Sequence, residues 1–373
     1  MSRARTGLRP AAAATAAALL LAGCGLADTA DFYWQGAVGQ ADLIWRAQPI
    51  DQAVAATDDP VLRARLERAQ SIRAFASREL GLPDNGTFTR YADIGRPFVV
   101  WNVFAAPPLA LKARQWCFPV AGCVNYRGYF SEDDARAEAA RLAREGDDVH
   151  VGGVPAYSTL GWLDDPVLSS FVRWRETELA RIMFHELAHQ VVYVRDDTSF
   201  NESFAVAVEE VGLERWLAAQ SGRPDHAQLV ADAARSERLR GDFRGLVAAT
   251  RERLDRLYAG DAPDAAKLEA KAAVFAAMRA DYDRMKAGWD GVPAFDRWFA
   301  TGANNAGILA VGLYADRVPV FRALLAAEAG DLPRFYARVS ALAGLPKADR
   351  NAALANLERG AEGAAGAAAA GGS

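Results

Sequence analysis

Apolar residues recur at helical spacing along most of the chain, and this pattern predicts most of its secondary structure. Between residues 61 and 80 the apolar positions follow one another every three or four residues, until Gly81 and Pro83 end the run. The segment 31–58 reads as a helix in the same way. Beyond Pro166 the spacing predicts six further helices, at 170–194, 202–220, 226–258, 263–288, 317–328 and 332–344.

A second pattern, of β-branched and aromatic runs, occupies the stretch from 87 to 154. It predicts strands at 99–104, 117–120, 124–129 and 149–154. Ser131 begins a helix between the last two strands, because Asp134 follows it three residues later as in a capping box. We therefore expect an α+β protein. An N-terminal α+β lobe over 32–165 would hold one small mixed sheet, and a mostly helical lobe would span 166–359.

Composition and charge narrow the possible functions. The chain is 51% hydrophobic and 24% charged, as folded globular proteins are. Its 43 Lys and Arg residues against 47 Asp and Glu give a net charge of −4, so it has no basic excess for binding nucleic-acid phosphates. After residue 24 no apolar run is long enough to predict a membrane-spanning helix. The Ala/Gly-rich segment 360–373 is predicted to be a disordered tail.

The first 23 residues are predicted to be a secretory signal peptide. Three arginines precede an apolar stretch over 11–21, which is too short to span a bilayer. The stretch ends in Leu-Ala-Gly-Cys, which resembles the lipobox of bacterial lipoproteins and implies that Cys24 carries the lipid. Residues 24–31 would then be a short lipidated tether to the membrane. The alternative is a plain secreted protein with a cysteine at the cleavage site by chance.

This N-terminus also predicts where the protein resides. We expect a lipoprotein of the bacterial cell envelope that faces the periplasm. Gly25 favours the outer membrane over the inner one, because retention signals use an acidic residue at that position.

The other two cysteines, Cys117 and Cys123, lie six residues apart, with Pro119 and Gly122 between them. In an oxidising compartment such a pair predicts a disulfide bond. Two free, buried thiols are the alternative. A metal site is not favoured here, because two more soft ligands would be needed nearby.

The candidate chemistry is concentrated in the helix predicted at 170–194, which contains a His-Glu-x-x-His motif. Residues four apart share one face of a helix, so His185 and His189 can both reach one zinc ion. Glu186 lies beside them, where it can accept a proton. The chain has only four histidines, so chance is a poor explanation for this spacing. Two satisfied core histidines remain the structural alternative.

A third zinc ligand is predicted at Glu202, in Asn-Glu-Ser-Phe-Ala at the start of the next helix. A tight turn over 195–199 would bring this carboxylate back under the two histidines. The segment resembles the Asn-Glu-x-Phe-Ala stretch of gluzincin metallopeptidases, in which that glutamate is the third ligand. A plain carboxylate at a helix start is the alternative. Two turns further on, Glu209 either accepts a hydrogen bond from a histidine N–H or lies on a solvated face.

Taken together, several segments resemble a bacterial family of predicted zinc aminopeptidases that are lipoproteins. They are the segments at 96–104, 116–123, 151–162, 184–194 and 200–205, and the similarity extends over about 30–345. The resemblance implies a zincin-like fold, Zn²⁺ as cofactor and a peptide as substrate. It also implies that His185, His189 and Glu202 hold the zinc while Glu186 acts as general base.

The stabiliser of the reaction oxyanion has two candidates. Tyr157 follows the predicted strand at 149–154, within a Gly-rich segment. Tyr314 lies downstream of the third ligand, as the corresponding tyrosine does in gluzincins. Each has a packed structural tyrosine as its alternative. The Gly-rich segment 152–155 is also a candidate edge strand for pairing with the substrate backbone.

Three functions follow from these observations. The first is a zinc aminopeptidase, which requires a blocked cleft and a carboxylate for the substrate's α-ammonium group. The second is a zinc endopeptidase of the cell envelope that acts in protein quality control. The third is a non-catalytic lipoprotein that keeps zinc for stability, which the intact Glu186 argues against.

Overall fold

The computed structural model describes residues 31–118, 122–156, 158–312 and 317–370, with side chains as far as Arg359. Cys24, Tyr157 and Tyr314 lie outside the described residues, as do the signal peptide and most of the tether. Among the described residues, no helix combines the length and the hydropathy that crossing a bilayer requires.

The N-terminal segment forms three helices rather than the two predicted. Helix α1 spans 31–46, α2 spans Ile50–Ala56 and α3 spans Pro60–Leu80. The predicted helix over 31–58 is interrupted by a short strand, β1 (Gln48–Pro49), which pairs with the strand at Arg90–Ala92. Pro49 causes the break, because a proline disfavours the helical conformation of the residue before it.

In the part of the chain that the structure describes, three small sheets replace the single sheet that was predicted. The strands are β2 (Arg90–Ala92), β3 (Val100–Ala106), β4 (Trp116–Phe118), β5 (Gly122–Val124), β6 (Arg127–Tyr129), β7 (Asp148–Val154) and β8 (Val167–Leu168). The first sheet has the order β1-β2-β8, and β2 and β8 run parallel. The second is antiparallel in the order β6-β3-β7 and packs against α4 (Glu132–Arg144). The third is the β4–β5 hairpin.

The remaining described chain is helical. Its helices are α5 (Glu176–Ala188), α6 (Thr198–Ala219), α7 (His226–Ala259), α8 (Asp264–Ala287), α9 (Asp296–Ala300), α10 (Asn305–Gly312), α11 (Val318–Ala327), α12 (Leu332–Ala343) and α13 (Lys347–Ala370). Helices α7, α8, α11 and α12 match their predicted ranges within a residue or two. Helix α5 is shorter at both ends than the predicted 170–194, and α6 begins four residues before its predicted start at 202. Helices α9, α10 and α13 were not predicted. Helix α13 extends into the segment 360–373 that was predicted to be disordered.

Helix α5 is buried at the centre of the largest apolar core, which contains residues of both predicted lobes. Phe184 of α5 packs against Phe75 of α3, with ring centroids 6.1 Å apart. On its other side α5 contacts α6 at Gly212, where a Cβ atom would lie 2.7 Å from the Phe184 ring. The glycine therefore permits the close approach of α5 and α6, the two helices that carry the candidate metal ligands.

Candidate metal centre

Helix α5 carries the His-Glu-x-x-His motif near its C-terminal end. The Nε2 atoms of His185 and His189 lie 3.2 Å apart, because residues four apart stand one above the other on the helix. Both imidazoles and the intervening Glu186 are largely removed from solvent. The motif thus presents two imidazole nitrogens to one buried point.

The turn after α5 is fixed by side chains that precede the third ligand. The amide of Asn201 accepts a hydrogen bond from Val194 N–H and donates one to the Val194 carbonyl, both at 2.8 Å. Asp197 caps α6 by accepting from Phe200 N–H. The other carboxylate oxygen of Asp197 accepts two hydrogen bonds from Arg350 of α13, at 2.8 and 3.0 Å. These contacts lie between the end of α5 at Ala188 and the first turn of α6, which begins at Thr198, so the prediction of helix as far as 194 was wrong.

The β4–β5 hairpin docks on the same turn. The disulfide between Cys117 and Cys123 closes the hairpin, as the sequence predicted. Asp196 has a positive φ of 64°, and its carboxylate accepts a hydrogen bond from Cys123 N–H. A side chain at Gly122 would collide with that carboxylate, since a Cβ atom there would lie 2.3 Å from Asp196 Oδ1. The disulfide is therefore linked to the turn that precedes Glu202.

Glu202 completes a cluster of three donor atoms. Its Oε2 lies 3.2 Å from His185 Nε2 and 3.7 Å from His189 Nε2. Ligands about 2.0–2.1 Å from a tetrahedral zinc ion lie about 3.3–3.4 Å from one another. Among the described residues, these three form the group of His, Cys, Asp and Glu side chains that could hold a metal ion. The structure therefore brings together the three residues predicted as ligands, with separations that suit one small ion.

Glu209 orients the first histidine. Its Oε2 lies 2.9 Å from His185 Nδ1, and because a carboxylate only accepts, the imidazole N–H donates. The other oxygen of Glu209 accepts from Arg181 at 2.8 Å, and Arg181 also binds Glu237 of α7 at 2.7 Å. Of the two roles left open for Glu209, the structure shows the hydrogen bond to histidine. Arg181 and Glu237, which the sequence did not point to, extend this chain of contacts.

The charges of the cluster favour a cation. Burial lowers the pKa of His185, but Glu202 and Glu209 outweigh it and hold that pKa well above its usual value. Burial lowers the pKa of His189 to about 4, which keeps this imidazole neutral. Although burial raises the pKa of Glu202, the two histidines bring it below its usual value. Positive charge is thus stabilised where the three donors meet.

Glu186 occupies a different electrostatic environment from Glu202. Burial raises the pKa of Glu186 to about 7, and the charges of Glu202 and Asp165 add to this effect, whereas His185 opposes it. Asp165 is itself buried, with its pKa raised to about 6, and it accepts hydrogen bonds from the backbone and hydroxyl of Thr159. Two neighbouring buried carboxyls with raised pKa values are typical of sites that move protons. No pattern in the sequence pointed to Asp165.

Neither predicted oxyanion stabiliser can be placed, since Tyr157 and Tyr314 lie outside the described residues. The carboxylates of the candidate metal centre raise the pKa of two other tyrosines. Burial raises the pKa of Tyr126, and Glu202 and Glu186 raise it further. Burial and Glu202 likewise raise the pKa of Tyr193. Tyr193 lies four residues after His189, and this spacing could have pointed to it, whereas nothing in the sequence pointed to Tyr126.

Strand β7 lies at one edge of its sheet, because its partner in the order β6-β3-β7 is β3 alone. Gly152 and Gly153 lie on this edge, opposite Asn102 and Trp101 of β3. The segment predicted to pair with a substrate backbone is therefore part of an edge strand. Within the described sheet, the backbone groups on one side of this strand pair with no other strand.

Comparison with known proteins gave one family. A family model described as a putative aminopeptidase matches residues 31–354, which include every described element from α1 into α13. Neither the curated proteins nor the solved structures gave a match.

Proposed function

Because the chain belongs to the putative aminopeptidase family, we propose that it is a zinc-dependent aminopeptidase built on a zincin-like scaffold. The family supports peptidase activity, and the metal and the mechanism are our proposal. The observation that carries it is the convergence of His185, His189 and Glu202 on one buried point, with Glu186 adjacent.

The residues present fit a zinc ion. Two imidazole nitrogens and one carboxylate oxygen are a ligand set that zinc accepts, and three protein ligands leave the fourth position to water. In zinc peptidases the bound ion lowers the pKa of that water and polarises the scissile carbonyl. Glu209 holds His185 by its N–H, which fixes the ring with Nε2 toward the metal.

Glu186 performs the proton transfers in this proposal. Its carboxylate accepts a proton from the attacking water and then delivers it to the amine that leaves as the peptide bond breaks. A carboxyl with its pKa raised to about 7 by burial can both take and return a proton near neutral pH. Glu202 does not transfer protons in this proposal, because its carboxylate is a metal ligand.

A hydrogen-bond donor would stabilise the oxyanion, and Tyr157 and Tyr314 remain the proposed residues. Removing one such donor costs about 10²–10³-fold in turnover. We expect either Tyr157→Phe or Tyr314→Phe to show this loss at unchanged zinc content. If both keep full turnover and Tyr126→Phe loses it instead, the donor is the partly buried Tyr126, whose pKa Glu202 and Glu186 raise together with burial.

The decisive experiment separates metal binding from catalysis. Glu186→Gln keeps the size of the side chain but removes the base, so we expect about one zinc per chain and at least ~10²-fold lower turnover. Glu202→Ala removes a ligand, so zinc and activity should both be lost. Glu210→Gln is the matched control, since Glu210 pairs with Arg322 rather than with the histidines.

Metal analysis and a peptidase assay on the same preparations check these outcomes. Full activity of Glu186→Gln would contradict the hydrolase proposal and favour a zinc-binding protein without catalysis. Full zinc in Glu202→Ala would place the third ligand elsewhere. Peptides with free and with blocked N-termini test the exopeptidase part, because an endopeptidase would cleave both.

We also propose that Cys24 carries a lipid that anchors the protein in the bacterial cell envelope. We expect Cys24→Ser to abolish fractionation with membranes while peptidase turnover is unchanged. A substituted protein that still sediments with membranes after a salt wash would contradict the anchor.

A further inference from the structure

Helix α1 exposes a face that has no charged residue. At 100° per residue, one arc of about 140° contains seven apolar side chains, all of them exposed. This outer face of α1 consists of Tyr33, Trp34, Ala37, Val38, Ala41, Ile44 and Trp45. Trp34 is 71% exposed and Trp45 is 85% exposed, which is unusual for the largest apolar side chain.

The opposite face of α1 is fixed on the protein, so the helix does not need its outer face for packing. Leu43 is 1% exposed, and Phe32 stacks on Phe118 with ring centroids 5.2 Å apart. The Gln35 side chain donates to the Gly128 carbonyl and accepts from Phe130 N–H. The opposite face therefore suffices to hold α1 on the protein. The outer face is nevertheless apolar, where a surface helix normally carries polar residues.

An exposed apolar patch of this kind marks a surface for another molecule. Tryptophan and tyrosine concentrate where a bilayer meets water, because an apolar ring with a polar N–H or O–H suits that boundary. An amphipathic helix lying in this boundary buries such a face by about 5–10 Å. The charged residues of α1 lie outside the arc, and two of them, Asp42 and Arg46, pair with each other at 2.7 Å.

The sequence before α1 indicates which occupant fits. Residues 25–30 separate Cys24 from the described part of α1, and six residues reach about 20 Å at most. If Cys24 is lipidated, as proposed above, α1 is the first described element after the residue that carries the lipid. Acyl chains on Cys24 would hold the domain at the membrane surface, but a flexible tether does not set which face of the domain meets the bilayer.

We propose that the outer face of α1 inserts into the bilayer interface and forms a second membrane contact beside the lipid on Cys24. Because the face has no basic residues and the whole chain has a net charge of −4, this contact does not need anionic lipids. It would hold the protein in one orientation, whereas a lipid tether alone leaves the protein free to rotate.

A probe on the outer face tests the insertion directly. The full lipidated protein, with Val38→Cys carrying an environment-sensitive dye, is reconstituted into phosphatidylcholine vesicles. Leu268→Cys on α8 is the matched control, because it is an apolar side chain of similar exposure, 44% against 48%, on another helix. We expect a blue-shifted dye at position 38 that lipid-borne quenchers reach, and a water-exposed dye at 268. Equal aqueous exposure at the two positions would overturn the proposal.

A second experiment measures the contact without the lipid. The Cys24→Ser protein should partition into concentrated vesicles only weakly, too weakly to stay with membranes during fractionation, and we expect Trp34→Ser with Trp45→Ser to reduce this partitioning about tenfold or more. Trp162→Ser, at a 76% exposed tryptophan outside α1, should leave binding unchanged. Turnover on a soluble peptide confirms that each variant is folded.

The outcomes keep the two membrane proposals apart. If Cys24→Ser fractionates like the unchanged protein, the lipid anchor fails, while the dye at position 38 still decides on the α1 contact. If the tryptophan pair instead changes the mass of the protein in solution from dimer to monomer and leaves vesicle binding unchanged, the occupant is a second copy of this chain and the membrane contact is refuted.

Discussion

Two helix pairs differ in how many polar side chains they bury, although both pairs also bury apolar residues. The pair α5–α6 buries charged and amide side chains, namely Glu176, Arg181, Glu186, His189, Asn201 and Glu202. The pair α7–α8 is packed mainly by apolar residues, with Leu254, Met278 and Tyr282 fully buried. Its buried polar side chains are Thr250 and Lys271. Both pairs are joined by short turns, so connectivity does not explain the difference.

The comparison shows what a buried polar interior requires. A polar group removed from water destabilises the protein unless it finds a partner. In α5–α6 those partners come from distant segments, since Arg181 binds Glu237 of α7 and Asp197 binds Arg350 of α13. In α7–α8 the apolar contacts are made largely within the pair and with nearby α9 and α10. We therefore expect substitutions in α5–α6 to weaken zinc binding as well as stability, and substitutions in α7–α8 to lower stability alone.

The largest effect is expected at the buried ion pair of the turn. Arg350 and Asp197 are each about 4% exposed, and Arg350→Met leaves the Asp197 carboxylate without its cation. Breaking such a pair costs about 3–5 kcal/mol of unfolding free energy. Because Asp197 caps the helix of Glu202, we also expect weaker zinc binding. Chemical denaturation and zinc titration check both, and Arg256→Met in an exposed pair of α7 should change neither.

A substitution in the apolar core of α7–α8 should lower the free energy of unfolding strongly and leave zinc affinity unchanged. Leu254 is fully buried in α7, and Leu254→Ala should cost about 2–5 kcal/mol through lost contacts and a cavity. The folded fraction should keep its zinc affinity and turnover. The exposed Leu268→Ala on α8 is the control for stability. A loss of zinc affinity in Leu254→Ala would mean that the two helix pairs are coupled.

The smallest effect on stability, with a specific effect on the metal, is expected at Glu209. Glu209→Gln removes the charge that orients His185 and pairs with Arg181. Changes to such partners of a ligand typically cost 10–100-fold in metal affinity, on the order of 1.4–2.7 kcal/mol. Competition with a chromogenic chelator measures this, with Glu210→Gln as the neighbour that leaves the histidines untouched. Unchanged zinc affinity would show that Glu209 has only a packing role.

The sequence predicted the parts of this comparison that depend on local spacing. Two histidines four residues apart on an apolar-periodic helix placed both imidazoles on one side, and the long pair at 226–258 and 263–288 was predicted within a residue. The Cys117–Cys123 disulfide was predicted from proximity and compartment, and it is confirmed.

The parts that depend on distant residues could not be predicted. The apolar run at 191–194 continues the helical pattern, but α5 ends at Ala188, and the backbone N–H and C=O of Val194 bond the Asn201 side chain instead of a helical turn. Likewise, the sequence does not show which strands share a sheet, because strand pairing joins residues such as Tyr91 and Val167, which lie far apart in the chain. Local periodicity contains no information about such contacts.

The ion pair between Asp197 and Arg350 has a consequence for the timing of folding. The two residues are 153 positions apart, so the ligand turn is synthesised long before its cation. At about 5–20 residues per second, roughly 8–30 s separate them. A nascent chain that has not yet reached α13 therefore holds the histidines without the clamp on the turn that carries Glu202. We expect tight zinc loading to be a late event, which begins only once almost the whole chain has been made.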